Sequence, residues 1–120
     1  MSTLEVSNLN DGTTTVATTY ITNGSAKVFC QFDGDASTVT ANESLNVSSI
    51  TDNGTGSYTL TFSNAMSSDN HASLGTRQWN GVLAHDAYTA TTVKFQSRGG
   101  ASTSLQDSYN SATATFGDLA

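Results

Sequence analysis

The chain has 120 residues, room for one domain with a single core and too few for two. Hydrophobic residues make up 36% and charged residues 12%, with no proline, so the polar share is Ser, Thr, Asn and Gly rather than the charge and proline typical of disordered chains. Net charge is −6, and the four basic residues, Lys27, Arg77, Lys94 and Arg98, exclude both a phosphate-tracking stripe for nucleic acid and a basic membrane-surface patch.

No apolar run exceeds three residues, which leaves no candidate membrane-spanning helix and no signal-peptide core. The opening MSTLEV reads as a cytoplasmic start. Cys30 is the single cysteine, so neither an internal disulfide nor a cysteine zinc site is available. Its place in the apolar run Val28-Phe29-Cys30 predicts a small core residue.

In chain order, residues 1–25 read as an extended arm or a pair of weak strands, suited to swapping onto a neighbour. The turn signal Asn10–Gly12 divides the arm, and Asn23-Gly24 closes it. A strand follows, with Val28, Cys30 and Phe32 on one face and Phe29 and Gln31 on the other. Asp33–Asp35 ends it. Ser37–Ala41 reads as a short or edge strand, and Glu43–Ile50 as another with Leu45 and Val47 sharing a face.

The stretch SSITDNGTGSYTLTF, Ser48–Phe62, reads as a β-hairpin. Asn53-Gly54 supplies left-handed backbone for the turn, and Gly56 suggests a bulge. Tyr58, Leu60 and Phe62 alternate with Thr59 and Thr61 on the exit strand. Asn64–His71 is a loop, and Ala72–Gly81 a strand with a bulge at Gly75. Val82–Tyr88 fits one helical turn or a loop. Thr89–Ser97 alternates Thr91, Val93 and Phe95 against Thr92, Lys94 and Gln96. Arg98–Ser108 is a loop, and a last strand puts Ala112, Ala114 and Phe116 on one face. Short strands at this spacing predict an all-β fold, an antiparallel β-sandwich of jelly-roll or immunoglobulin-like type over residues 26–120, with residues 1–25 as an N-terminal arm. A small core under a polar surface also makes oligomerisation plausible.

Little in the sequence carries catalytic chemistry. His71 and His85 are the only histidines, each near a carboxylate in Asp69-x-His71 and His85-Asp86. A catalytic pair needs a positioned nucleophile, and no G-x-S-x-G pattern occurs. Asp33-Gly34-Asp35 and Thr51–Gly56 each offer two carboxylates or fewer, short of a calcium site, and turn formation explains both. Four N-x-S/T patterns, at Asn23, Asn42, Asn46 and Asn53, are expected by chance in this composition. The reading is therefore a non-enzyme with no metal and no cofactor. The richest binding chemistry lies in RQWNGVLAHDAY, where Arg77, Trp79, His85 and Tyr88 are candidate ligand- or receptor-binding residues. Aromatic rings beside amides and carboxylates suit a sugar ring. The plainer reading places Trp79 and Tyr88 in the core or a subunit interface.

Asn46–Met66, NVSSITDNGTGSYTLTFSNAM, resembles a module of tail-fibre and other virion proteins of tailed bacteriophages. A preceding strand, Ala26–Gly34, is similar to the family's KAxxxFxG, with Ala and Lys in the other order and Phe29 near a position where the family often has Trp. The closing ATFGDLA also resembles members of this group. The similarity spans Ala26–Ala120 and loosens after Met66. It implies a non-enzymatic, β-rich virion component that forms a homo-oligomer, a trimer by the usual pattern, and contacts other virion proteins of the tail or the major capsid protein. The leading expectation is a tail-fibre or receptor-binding module that meets a host-surface glycan or protein; the alternative is a capsid decoration, or cement, protein that stabilises the head shell. No heptads or collagen-like repeat mark a fibre shaft. No contact with nucleic acid and no membrane insertion is expected.

Overall fold

Polar turn residues organise the first part of the chain. Strands β1 (Asn8–Asn10) and β2 (Thr15–Ala17) pair as a small antiparallel hairpin. Its turn is held by Asp11, whose Oδ1 accepts from the Thr14 and Thr13 N–H groups at 2.7 and 2.9 Å. Those bonds hold the Asp11 carboxyl below its usual range. A helix, α1 (Thr18–Gly24), follows where the β-branched sequence suggested strand. Thr18 anchors its start by donating from its N–H to Ser7 O at 2.9 Å, and Ser25 closes its end by donating from Oγ to Ile21 O at 2.7 Å. No residue of 1–25 is buried.

The remaining strands are β3 (Ala26–Phe32), β4 (Ala41–Leu45), β5 (Val47–Asp52), β6 (Ser57–Phe62), β7 (Ala72–Arg77), β8 (Gly81–Tyr88), β9 (Thr92–Gly99) and β10 (Ser111–Phe116). They form two four-stranded antiparallel sheets, β4-β3-β10-β7 and β5-β6-β9-β8. The structure, a computed structural model, describes residues 1–100 and 103–120. It is the expected all-β antiparallel sandwich. Strands β7, β8 and β9 run consecutively and β10 returns beside β7, a Greek-key path that differs from the ABED/CFG order of immunoglobulin domains.

The core follows the alternation read from the sequence. Val28, Cys30 and Phe32 of β3, Tyr58, Leu60 and Phe62 of β6, and Val93 and Phe95 of β9 face one another between the sheets, with Leu83 and Met66. Burying each large apolar side chain stabilises the fold by roughly 1.5–3 kcal/mol. Phe32 and Tyr58 meet edge to face with ring centroids 5.1 Å apart.

Several local expectations are corrected. The single strand expected over Glu43–Ile50 is two, broken at Asn46 in the left-handed region at φ 59°. Asparagine tolerates that backbone because its side chain bonds locally; here Asn46 Oδ1 accepts from the Asn64 N–H at 2.7 Å. The break carries the chain from one sheet to the other. Residues 37–40, expected as part of an edge strand, form a loop. In the hairpin turn the positive φ angles belong to Gly54 and Gly56, not Asn53. Gly75 is no bulge, since it pairs in register with Thr113; it is glycine because a Cβ there would lie 2.8 Å from Leu83 Cδ2. Val82–Tyr88 is neither helix nor loop but most of edge strand β8, whose one buried residue, Leu83, leaves no alternation to read. On β10 the buried face is Ser111, Thr113 and Thr115, while Ala112, Ala114 and Phe116 point outward. The inward hydroxyls are paired, Thr115 with Ser73 at 2.9 Å and Ser111 with Ser108. Of the loop expected over Arg98–Ser108, Arg98 and Gly99 belong to β9, and Ala101 and Ser102 lie outside the described residues. No helix among the described residues is long and apolar enough to cross a membrane.

Candidate functional site

The three-residue link Gln78–Asn80 joins β7 to β8 at one end of the sandwich. Trp79 sits in it at φ 74°, a left-handed backbone that a bulky residue adopts at a cost of about 1–3 kcal/mol. Its side chain is 77% exposed. The loop before β10 runs alongside and presents Tyr109, 60% exposed. Between them lies an open cleft of about 370 Å³, walled by Arg77, Gln78, Trp79, Asn80, Gln106, Asp107 and Tyr109.

The cleft walls are tied to the sandwich from several sides. Gln78 N–H donates to Asn110 O at 2.7 Å, and the Asn110 side-chain amide donates to Gln78 Oε1 at 2.9 Å. Gln106 N–H donates to Ser97 O at 2.9 Å. Asp107 Oδ1 accepts from the Gly56 N–H at 2.6 Å and from the Tyr58 hydroxyl at 2.9 Å. The Tyr58 hydroxyl lies within 3.0 Å of Gly34 O as well. Burial first, and then the Asp107 carboxylate, push the Tyr58 phenol well above its ordinary pKa, so it stays a neutral donor. Arg77 Nη2 lies 3.4 Å from Asp107 O, at the long end of hydrogen-bonding range. The hairpin turn read so clearly in the sequence thus fastens one wall of the cleft.

Chemically, the cleft offers two exposed aromatic faces beside three side-chain amides, one guanidinium and one carboxylate. Amides both donate and accept, and aromatic faces cover the C–H face of a ring. A flat polyhydroxylated ligand matches this set.

Of the four residues singled out in the sequence, Arg77 and Trp79 line the cleft, and His85 and Tyr88 do not. The latter two lie further along β8, and Tyr88 is about 26 Å from the turn at ~3.3 Å per residue. There Tyr88 stacks edge to face between His85 and His71, with centroids at 5.4 and 5.5 Å. His71 faces Thr89 O through Nε2 at 3.0 Å and Ser73 Oγ through Nδ1 at 3.1 Å. The Nε2 hydrogen therefore donates to the carbonyl and Nδ1 accepts from the Ser73 hydroxyl. Ser73 is buried and also bonded to Thr115, so this His–Ser contact fixes packing.

Sequence reasoning passes over Gln106 and Asp107 because they fall in the stretch Arg98–Ser108 that reads as loop, and over Tyr109 because it opens the segment that reads as the last strand. The available signal is Tyr109 itself, a large aromatic out of phase with the Ala112, Ala114 and Phe116 face. Asp33 and Asp52, one carboxylate from each of the two turns weighed for calcium, accept from the N–H groups of Asp35 and Gly54 at 2.9 Å each. Among the described residues, no three His, Cys, Asp or Glu side chains gather as a metal site requires.

The described residues therefore define an antiparallel β-sandwich with an aromatic-walled cleft at one end. No protein-family model, no curated protein and no solved structure matches the chain.

Proposed function

We propose that the chain is a non-enzymatic structural protein of a tailed-bacteriophage virion, a tail-fibre or receptor-binding module whose Trp79 cleft takes a sugar unit of a bacterial surface glycan. The resemblance of Asn46–Met66 to virion modules supports the setting. The observation that carries the binding role is Trp79, held exposed in a left-handed backbone at the cleft rim. Outliers of this kind persist where surrounding structure enforces them, and they cluster at ligand sites. Affinity at one such cleft is modest, and several copies on one particle multiply it.

Trp79 is the only tryptophan, so its fluorescence reports on the cleft directly. Titration with bacterial surface oligosaccharides should shift its emission in a saturable way, and Trp79→Ala protein should lose binding to a glycan array. Unchanged emission across the array, with no adhesion to bacterial cells, would sink the proposal.

A second reading, a capsid decoration protein, is favoured by the uncovered apolar residues of the arm and of the β4-β3-β10-β7 sheet, which suit a piece that bridges neighbours. Imaging of labelled virions separates the two: signal over the head shell supports decoration, and signal at the tail supports the receptor-binding reading.

A further inference from the structure

Among the described residues, two apolar surfaces lack a cover. The first is the outer face of the β4-β3-β10-β7 sheet. Leu45, Phe29, Ala114 and Leu74 stand in register across all four strands and form one continuous row, with Leu74 62% exposed. Phe116 lies on the same outward face of β10. The second is the arm. Leu4, Val6, Leu9 and Ile21 line an open groove of about 620 Å³, and Leu4 and Tyr20 are 82% and 75% exposed.

We infer that the arm of one copy covers the outer β4-β3-β10-β7 face of a second copy of this chain. The arm stands off its own sheet, with no residue of 1–25 buried. Ser25 is extended at φ −85° and ψ 145°, and Lys27 Nζ donates to both Ser25 O and Ser25 Oγ at 2.8 Å. The molecule reaches 50 Å in its longest dimension against 29 and 24 Å in the others.

The areas point the same way. Four strands spaced ~4.8 Å apart and six residues long present a face of roughly 400 Å². A stable complex buries about 800 Å² and 20–30 residues on each partner. The face alone is about half of that. Each copy contributes an arm as well as a face, and 25 arm residues supply the remainder. The contact is arm to face, so it closes either reciprocally in a pair or head to tail in a ring.

The test is the mass of the full chain across the micromolar range by sedimentation, for wild type, Leu74→Glu on the face and Ile21→Glu on the arm. Both substituted positions are exposed, so circular dichroism should show the same fold and melting point in all three. Wild type should be a closed oligomer, and each variant should raise the dissociation constant roughly tenfold or more. Mixing the two variants should restore a pair, because the intact arm of Leu74→Glu protein meets the intact face of Ile21→Glu protein. A monomeric wild type overturns the inference, including one that docks this face onto a different virion protein. So does an oligomer indifferent to either variant, as a face-to-face dimer would be to Ile21→Glu, or a mixture that stays monomeric.

Discussion

Trp79 carries a conflict between stability and use. Its left-handed φ of 74° is a position that glycine occupies without strain, while its indole supplies much of the cleft's exposed aromatic surface. Trp79→Gly should therefore raise stability by about 1 kcal/mol in denaturant unfolding while abolishing ligand binding. Equal stability with intact binding would mean that the backbone is not strained and the ring not used. Cys30 gives a second residue-level test. Burial pushes its thiol from 9.0 up to about 11 in the fold. Above pH 9 the unfolded chain releases a proton that the folded chain keeps, so the stability due to the neutral thiol is complete below pH 9 and declines through about pH 11. The loss is on the order of 2–3 kcal/mol at ~1.4 kcal/mol per pKa unit. Cys30→Ala protein, though less stable at pH 7, should lack that part of the alkaline decline when melting points are followed from pH 8 to pH 11.

Among the elements, the β5–β6 hairpin links scaffold to site. A Cβ at Gly56 would lie 2.7 Å from backbone atoms of both Gln106 and Ser97, and its φ is +66°. Its N–H also donates to Asp107. Gly56→Ala should cost about 2–4 kcal/mol and weaken cleft binding, since the Gln106–Tyr109 wall must move. Gly54 in the same turn has φ +108° but nothing within 4 Å of a Cβ, so Gly54→Ala should cost only about 1–2 kcal/mol and leave binding intact. Chemical denaturation combined with the fluorescence titration distinguishes the two variants; equal effects on binding would show that the turn does not position the wall.

At the scale of the whole molecule, the sandwich and the arm differ in burial. Residues 1–25 contribute no buried side chain, so their removal should leave the melting point of residues 26–120 within a few degrees, as surface changes usually do. If the proposed arm-to-face contact holds, the same truncation should leave a monomer where the full chain self-associates. Unfolding of the truncated chain would show instead that the arm is integral to the sandwich.

The sequence alone determined the all-β class and most of the core. Val28, Cys30, Phe32, Tyr58, Leu60, Phe62, Val93 and Phe95 recur at every second position on strands that have a buried side, and a period of two is a local signal. It also marked Arg77 and Trp79. Tertiary structure decided what local pattern could not carry. β8 is an edge strand held by β9 with one buried side chain, so its sequence shows no period. β10 turns hydroxyls inward and alanines outward because larger side chains from other strands fill the core and hydroxyl pairs satisfy the polar groups, which inverts the local reading. The cleft joins residues about thirty positions apart, Arg77 to Tyr109, through a loop that Gly56 and Tyr58 hold from a third segment. His85 and Tyr88 are near Trp79 in sequence and far from it in space because an extended strand advances ~3.3 Å per residue and carries them along the sheet.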